Sequence, residues 1–245
     1  MPEVYGAQQS DAWLRAHVGR LTGSGLSKIC SYLTRNSGDK KKGDPKAERD
    51  NYKLEKIGER LSGRLANHFE TQAMRDGIEF EQEARLYYEG VMNVVTTPVG
   101  FYVHDEYPFT GASCDNLIDD EGVLEIKCPT IAVHMKYVMA GCIPKDYVPQ
   151  VAWELACTGR AYADFVSYGA GMVDDDLRFF YRRTGRDELE YAYTDYSGTG
   201  DREVVLTGER VIAYFTDEVL KMEAEIQEFL KGRKTVAPYP LEAKR

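Results

Sequence analysis

Nowhere in the 245 residues does an apolar run approach the ~18–20 residues that span a bilayer. The opening segment, Met1-Pro2-Glu3-Val4-Tyr5-Gly6, has neither a basic nor an apolar stretch, so no secretory signal is expected. Cysteine is sparse and unpatterned. Cys30, Cys114, Cys128, Cys142 and Cys157 form no C-x-x-C pair and are odd in number, which argues against a disulfide framework and a zinc ribbon. His17, His68, His104 and His134 lack the H-x3-H and H-E-x-x-H spacings of a histidine metal site. A reducing, cytoplasmic setting and no membrane partner are therefore expected. Positive charge is also in deficit: 31 Lys and Arg face 40 Asp and Glu, for a net charge of −9. That excludes a uniformly basic nucleic-acid coat but leaves room for a local basic groove.

What is present is enough hydrophobic residue, 43% of the chain, for a sizeable core. With no internal repeat and no linker-like segment, the length suits one α/β domain over residues 1–245. Asp11 to Val18 reads as a short helix broken by Gly19. Leu26, Ile29, Cys30 and Leu33 keep a helical interval, with Ser24 placed to cap it. Turn signals at Asn36-Ser37-Gly38 and Gly43-Asp44-Pro45 flank Lys40, Lys41 and Lys42. Helices are expected from Pro45 to Leu61, with Tyr52, Ile57 and Leu61 inward, and from Gly77 to Gly90. The period then changes. Val94–Val103, Ala112–Ile118 and Val123–Cys128 read as strands, followed by a helix from Tyr147 to Thr158. Four more strands are expected at Ala163–Tyr168, Leu177–Arg182, Leu189–Tyr193 and Glu203–Leu206. A last helix from Gly208 to Lys231 points Ile212, Phe215, Val219, Met222, Ile226 and Phe229 inward.

The chemistry concentrates after residue 105. Between Asp105 and Glu125 lie seven acids and no lysine or arginine, and then comes Glu125-Ile126-Lys127. Residues two apart on a strand share a face, so Glu125 and Lys127 project together. If Asp119-Asp120-Glu121 is a three-residue hairpin loop, Asp115 faces Glu125; an even loop would separate them. Two carboxylates beside one lysine suit phosphodiester hydrolysis. Mg²⁺ takes a few hard oxygens and several waters, acidifies a water and offsets phosphate charge. Glu81 can add a carboxylate, although pairing with Arg85 at i,i+4 is the commoner role for such a residue. An E-x-K strand is by itself most often a solvated face. On the helix after Tyr147, Tyr147, Gln150 and Glu154 form one stripe, and Val148, Val151 and Leu155 form another that reads as core.

Several motifs then occur in order: Trp13-x3-His17-x-Gly19-x-Leu21-Thr22-Gly23-Ser24, Gly77-x3-Glu81-x2-Ala84, Ser113-Cys114-Asp115-Asn116, Leu124-Glu125-Ile126-Lys127-Cys128-Pro129 and Tyr147-x2-Gln150. The series resembles the phage lambda exonuclease and YqaJ-type viral recombinase family of the PD-(D/E)xK nucleases. The resemblance runs from about Asp11 to Gly159. It implies a restriction-endonuclease-like fold, with a central mixed β-sheet flanked by helices. It also implies a Mg²⁺-dependent exonuclease, with Mn²⁺ as substitute, that degrades one strand of duplex DNA from a 5′ end for phage-type recombination.

Carried over by residue, Glu81, Asp115, Glu125 and the Ile126 backbone carbonyl would bind metal. Lys127 would act on the attacking water, and Gln150 would hold that water or the scissile phosphate. Thr22 and Ser24 would grip a 5′-phosphate, with His17 standing where the family has arginine and Arg15 or Arg20 as substitutes. A charged imidazole at 17 would strengthen that grip as pH falls. Cys114 and Asn116 replace the family's usual proline and glycine. Lys40, Lys41 and Lys42, with Lys46, Arg49 and Lys53, are candidates to track a DNA backbone. Trp13 and Tyr52 are candidates to stack on bases, although single aromatics are more often core. A ring-shaped homotrimer, a single-strand annealing partner and a phage or prophage origin in a bacterial host are further implications. Two alternatives stay open: a related endonuclease or repair nuclease of other polarity, and an inactive DNA-binding or host-inhibiting protein on the same fold.

Overall fold

The computed structural model describes residues 4–66, 72–197 and 200–236, with backbone alone for Val4 and for 72–78; His68 lies outside the described residues. Strand β1 (Val4–Tyr5) leads into α1 (Asp11–His17), whose first turn is closed by the Ser10 hydroxyl accepting the Trp13 N–H at 3.2 Å. Strand β2 (Leu21–Thr22), a 3-10 turn at Gly23–Gly25 and α2 (Leu26–Ile29) follow. Ser24 sits inside the 3-10 turn and makes no capping bond. The cap of α2 is Gly25, not Ser24 as the spacing predicts.

Helix α3 (Ala47–Ser62) ends at left-handed Gly63, and α4 (Gln72–Met92) is longer than its apolar period indicates. Each of the next two expected strands is split between two sheets. Val94–Val103 becomes β3 (Thr96–Pro98) and β4 (Phe101–Val103), and Ala112–Ile118 becomes β5 (Thr110–Ala112) and β6 (Asn116–Ile118). The break has a steric cause at Gly100, where a Cβ would run into the carbonyl oxygens of Tyr5 and Gly6. Only glycine lets β4 turn away to lie against β1.

Strand β7 (Gly122–Lys127) leads to α5 (Ile131–Ala140), which the sequence reading leaves out. Its ten residues are almost all apolar and show no polar stripe. It is followed by α6 (Val148–Thr158), β8 (Tyr162–Tyr168) and a single turn α7 (Asp175–Arg178), which replaces the start of an expected strand. Strands β9 (Phe179–Gly185), β10 (Glu190–Asp195) and β11 (Arg202–Thr207) precede α8 (Glu209–Leu230).

The central sheet has the order β3-β6-β7-β8-β9, with β7 and β8 parallel and the other pairs antiparallel. A second sheet, β1-β4-β5-β2, abuts it, and β10 and β11 form a separate hairpin. On one face Val123 and Phe165 pack with Val151, Trp153 and the α8 residues Phe215, Val219 and Met222. On the other, Leu124, Ile126 and Val166 pack with Ala84 and Tyr88 of α4. The strand thus alternates as expected, and both faces are covered. Leu61 and Phe229, expected inward, are 38% and 44% exposed; Leu230 takes the place of Phe229 in the core.

Helices α3 and α8 share the apolar core through Tyr52 and Ile57 and are also joined by charge. The Arg60 guanidinium forms a two-bond pair with Glu223 at 2.8 and 2.6 Å and donates to the Gly19 carbonyl at 2.9 Å. Glu59 accepts the Gly19 N–H at 2.7 Å. Arg49 and Lys53 both bind Glu225, so neither is free to track DNA as the charge pattern suggests. Removing one partner of a buried pair strands the other charge. Arg60→Met is therefore expected to lower unfolding free energy by about 3–5 kcal/mol in urea titration, whereas Arg60→Met/Glu223→Met should recover most of the loss.

Candidate active site

The site begins with a strand register. Ile118 pairs with Gly122 and Asn116 with Leu124, so Asp119-Asp120-Glu121 is a three-residue loop. Asp119 adopts a left-handed φ of 45°, which aspartate tolerates. Arg160 clips the loop, its guanidinium donating to the carbonyls of Ile118, Asp119 and Gly122 at 3.2, 2.8 and 3.0 Å. The Asp115 N–H donates to the Leu124 carbonyl at 3.1 Å, which sets Asp115 opposite Glu125. Asp115 Oδ2 then accepts the Ile126 N–H at 2.6 Å.

Glu125 is 1% exposed and pairs through Oε1 with the Lys127 ammonium, which lies 5.3 Å from the centre of the Tyr147 ring. Gln150 reaches in from α6, donating to Glu125 Oε1 at 2.5 Å and to Glu154 Oε1 at 2.9 Å. Glu81 approaches from α4, one turn before buried Ala84. Arg85 pairs with Glu89 at 3.0 Å, so the i,i+4 partner considered for Glu81 is engaged elsewhere.

Crowding dominates the electrostatics. Burial, then the charge of Glu125, pushes the carboxyl pKa values of Asp115 and Glu154 well above the usual range. Glu81 is raised by the same two causes. Burial opposes the charge on Lys127, but Glu125 and Asp115 outweigh it and hold the ammonium protonated. Cys128 is pushed up to about 12 by burial and by Glu81, leaving an inert thiol.

Such a cluster lacks positive charge. Among the described residues, no three acidic, histidine or cysteine side chains converge closely enough to cage an ion unaided. Mg²⁺ needs no such cage, because one or two carboxylates and several waters suffice. Oε2 of Glu125 is buried with no protein hydrogen-bond partner. An unpaired carboxylate oxygen next to Asp115, in a donor set of hard oxygens, fits a hard divalent cation.

A second cavity, of about 260 Å³, is lined by Trp13, His17, Thr22, Ser24, Lys28 and Tyr52 among others. The Tyr52 hydroxyl accepts the Thr22 N–H at 3.1 Å, and the hydroxyls of Thr22 and Ser24 lie 3.3 Å apart. A Cβ on Gly25 would strike the Tyr52 phenol, so glycine is required there. Of the cations considered for this cavity, Arg20 is buried, donating to the Ala16 and Pro108 carbonyls at 2.6 and 2.8 Å, and Arg15 is exposed and outside the lining.

His17 donates Nδ1 to the Trp13 carbonyl at 2.8 Å and lies between the Trp13 and Phe101 rings. Burial, reinforced by Lys56 and Arg20, lowers its pKa to about 4. It is neutral near pH 7, contrary to the charged imidazole expected. Lys28, four residues after Ser24 on the same turn of chain, supplies an exposed ammonium that the sequence reading passes over. Trp13 donates Nε1 to the Ser113 hydroxyl at 3.0 Å and Tyr52 is buried, so both serve the framework. Lys40 pairs with Asp50, and Lys42 with Asp201; Lys41 stays at the exposed turn.

Residues 12–161 match the YqaJ-like viral recombinase domain. The chain belongs to that family. It superposes on the crystal structure of an alkaline exonuclease from Laribacter hongkongensis with a TM-score of 0.72 and 29% identity, covering 91% of this chain and 96% of that one. The same exonuclease in complex with dAMP gives a TM-score of 0.70 at 29% identity, covering 91% and 97%. A phage-related exonuclease from Haemophilus somnus, 16% identical, shares the fold with a TM-score of 0.52 over 86% of this chain and 95% of that one. No curated protein sequence matches the chain. The YqaJ-type chain thus has the restriction-endonuclease-like fold, and no helix among its described residues is long and apolar enough to cross a membrane.

The neutral state of His17 has a thermodynamic consequence. Its folded pKa of about 4 lies below the ordinary 6.5, so the unfolded chain binds the extra proton between those values. The associated stability is complete above pH 6.5 and is lost as pH falls towards 4, by at most about 3 kcal/mol. His17→Gln should flatten that loss in urea titrations across this range. An unchanged pH slope would mean that position 17 carries none of it.

Proposed function

We propose that this protein is a divalent-metal-dependent exonuclease that hydrolyses one strand of duplex DNA from a 5′ end. The buried Glu125 carboxylate, with one oxygen unpaired beside Asp115 and Lys127, carries this reading. Asp115 and Glu125, with Glu81 and the Ile126 carbonyl, would hold Mg²⁺, or Mn²⁺ in its place. When bound, that ion supplies an acidified water and offsets charge on the phosphate.

The chain's own groups do the rest. Lys127, kept protonated by its carboxylate neighbours, orients the water and stabilises negative charge developing on the phosphate. Gln150 positions that water. Thr22, Ser24 and Lys28 receive the 5′-phosphate, with His17 as a neutral wall and Tyr52 holding the Thr22 backbone. The similarity to an exonuclease solved in complex with dAMP supports a nucleic-acid substrate. The reading extends to one nuclease domain over residues 1–245, a ring-shaped homotrimer and a single-strand annealing partner, acting in the cytoplasm of a phage-bearing bacterial host.

Asp115→Asn and Glu125→Gln should each lower Mg²⁺-dependent degradation of linear duplex by at least about 100-fold with folding retained, because each removes a charged oxygen from a site with few. Closed circular duplex should resist the parent enzyme, and EDTA should stop it. Either variant degrading at the parent rate, or nicking of the circle, would sink the assignment. Lys28→Ala should lower the rate ratio of 5′-phosphorylated to 5′-hydroxyl ends by roughly tenfold, since a charge-assisted contact is lost. An unaltered ratio would free Lys28 of that role.

A further inference from the structure

Glu154 is a buried carboxyl that the proposed chemistry does not use. It sits one helical turn after Gln150 and is 1% exposed; no protein donor reaches its Oε2, and the carboxyl lies within hydrogen-bond reach of Glu125. A leucine or methionine would fill this place in α6 with no polar atom to bury. The hydrogen bond its side chain accepts comes from Gln150, at 2.9 Å.

The other N–H of that amide goes to Glu125 Oε1 at 2.5 Å, an oxygen that also faces the Lys127 ammonium. Both hydrogens of the Gln150 NH₂ are therefore used. A glutamine amide has one NH₂ end and one carbonyl end, and two acceptors at the same end decide which is which. Glu154 accepts whether or not it is ionised, because a protonated carboxyl keeps a carbonyl oxygen. With only Glu125 as acceptor, the amide could turn about its last torsion, which is broad and two-fold. With both, its carbonyl oxygen is left free to face the reacting centre.

We infer that Glu154 is a positioning residue: it holds the Gln150 amide so that the glutamine carbonyl is offered as an acceptor to the attacking water. This rests on the nuclease reading above. The role predicts that the acceptor oxygen matters and the negative charge does not, and that Glu154 has no effect once Gln150 is gone.

The test is a double-mutant cycle on linear duplex with Mg²⁺, joined to an activity-free measurement. Glu154→Met should lower kcat about 10–100-fold, the usual range for a residue supporting a metal site from behind, with KM within about twofold. Glu154→Ala is made in parallel, so the result does not hang on one packing outcome. Glu154→Gln, which keeps a carbonyl acceptor, should stay within about threefold of the parent. In a Gln150→Ala background, Glu154→Met should cost nothing more, because residues that act through one another are not additive. An equal loss in both backgrounds, or a Glu154→Gln as impaired as Glu154→Met, would overturn the inference.

In metal-free ¹⁵N-labelled protein, the Gln150 side-chain amide, assigned by its disappearance in Gln150→Ala, should show two distinct proton signals in the parent and in Glu154→Gln. These should move or broaden in Glu154→Met. Signals that Glu154→Met leaves unchanged would also overturn it. If the parent degrades no DNA, the nuclease reading fails by itself, and the amide signals still decide the role of Glu154.

Discussion

Glu125 and Glu154 are buried and Asp115 half-buried around one ammonium, with Glu81 close enough to feel Glu125, and this crowding of carboxyls is the constraint that the neighbouring structure serves. Like charges at such separations raise one another's pKa and repel unless held. The restraint comes from several elements at once. Arg160 pins the loop that fixes the strand register, and the Ile126 amide anchors Asp115. The Tyr147 ring flanks Lys127, and α6 brings Gln150 between two of the carboxyls. Carboxyls crowded in this way are stabilised by any positive charge that enters, which is the property the proposed metal would use.

A different use of charge stabilises the neighbouring cavity. Helices α3 and α8 are joined by Arg60–Glu223 and Arg49–Glu225, and the same network reaches Gly19 through Glu59 and Arg60. Gly19 leads into Leu21 and Thr22 through Arg20, so the buried Arg60–Glu223 pair and Glu59 fix where the Thr22–Lys28 segment begins. Thr110 and Trp153 continue the restraint. Thr110 donates to the Leu21 carbonyl at 2.7 Å and accepts from Trp153 of α6 at 3.0 Å. The cavity that would receive a DNA end and the carboxylate cluster that would cut it are thus both tied to α6. The charges that seemed available for DNA on α3 are spent on this framework, and Lys28 remains exposed at the cavity itself.

The sequence by itself determined the alternation of β7 and the stripe on α6. A period of two can only put Glu125 and Lys127 together, and a period of 3.6 can only align Tyr147, Gln150 and Glu154. It also determined the long helices, whose apolar spacing extends over many turns, and the order of motifs that marks the family. What it did not determine is wherever a residue's role depends on a distant partner. The parity of the 119–121 loop is conditional in sequence; Arg160, some forty residues on, clips the odd form. The switch of β4 and β5 to a second sheet depends on the backbone of residues 5 and 6 crowding Gly100. His17 reads as a charge in sequence, but its burial between Trp13 and Phe101 makes it neutral. Arg49 and Lys53 read as a DNA-facing pair, and Glu225, more than 170 residues away, takes both. Local period follows from backbone geometry, whereas the fate of a charge follows from what folds against it.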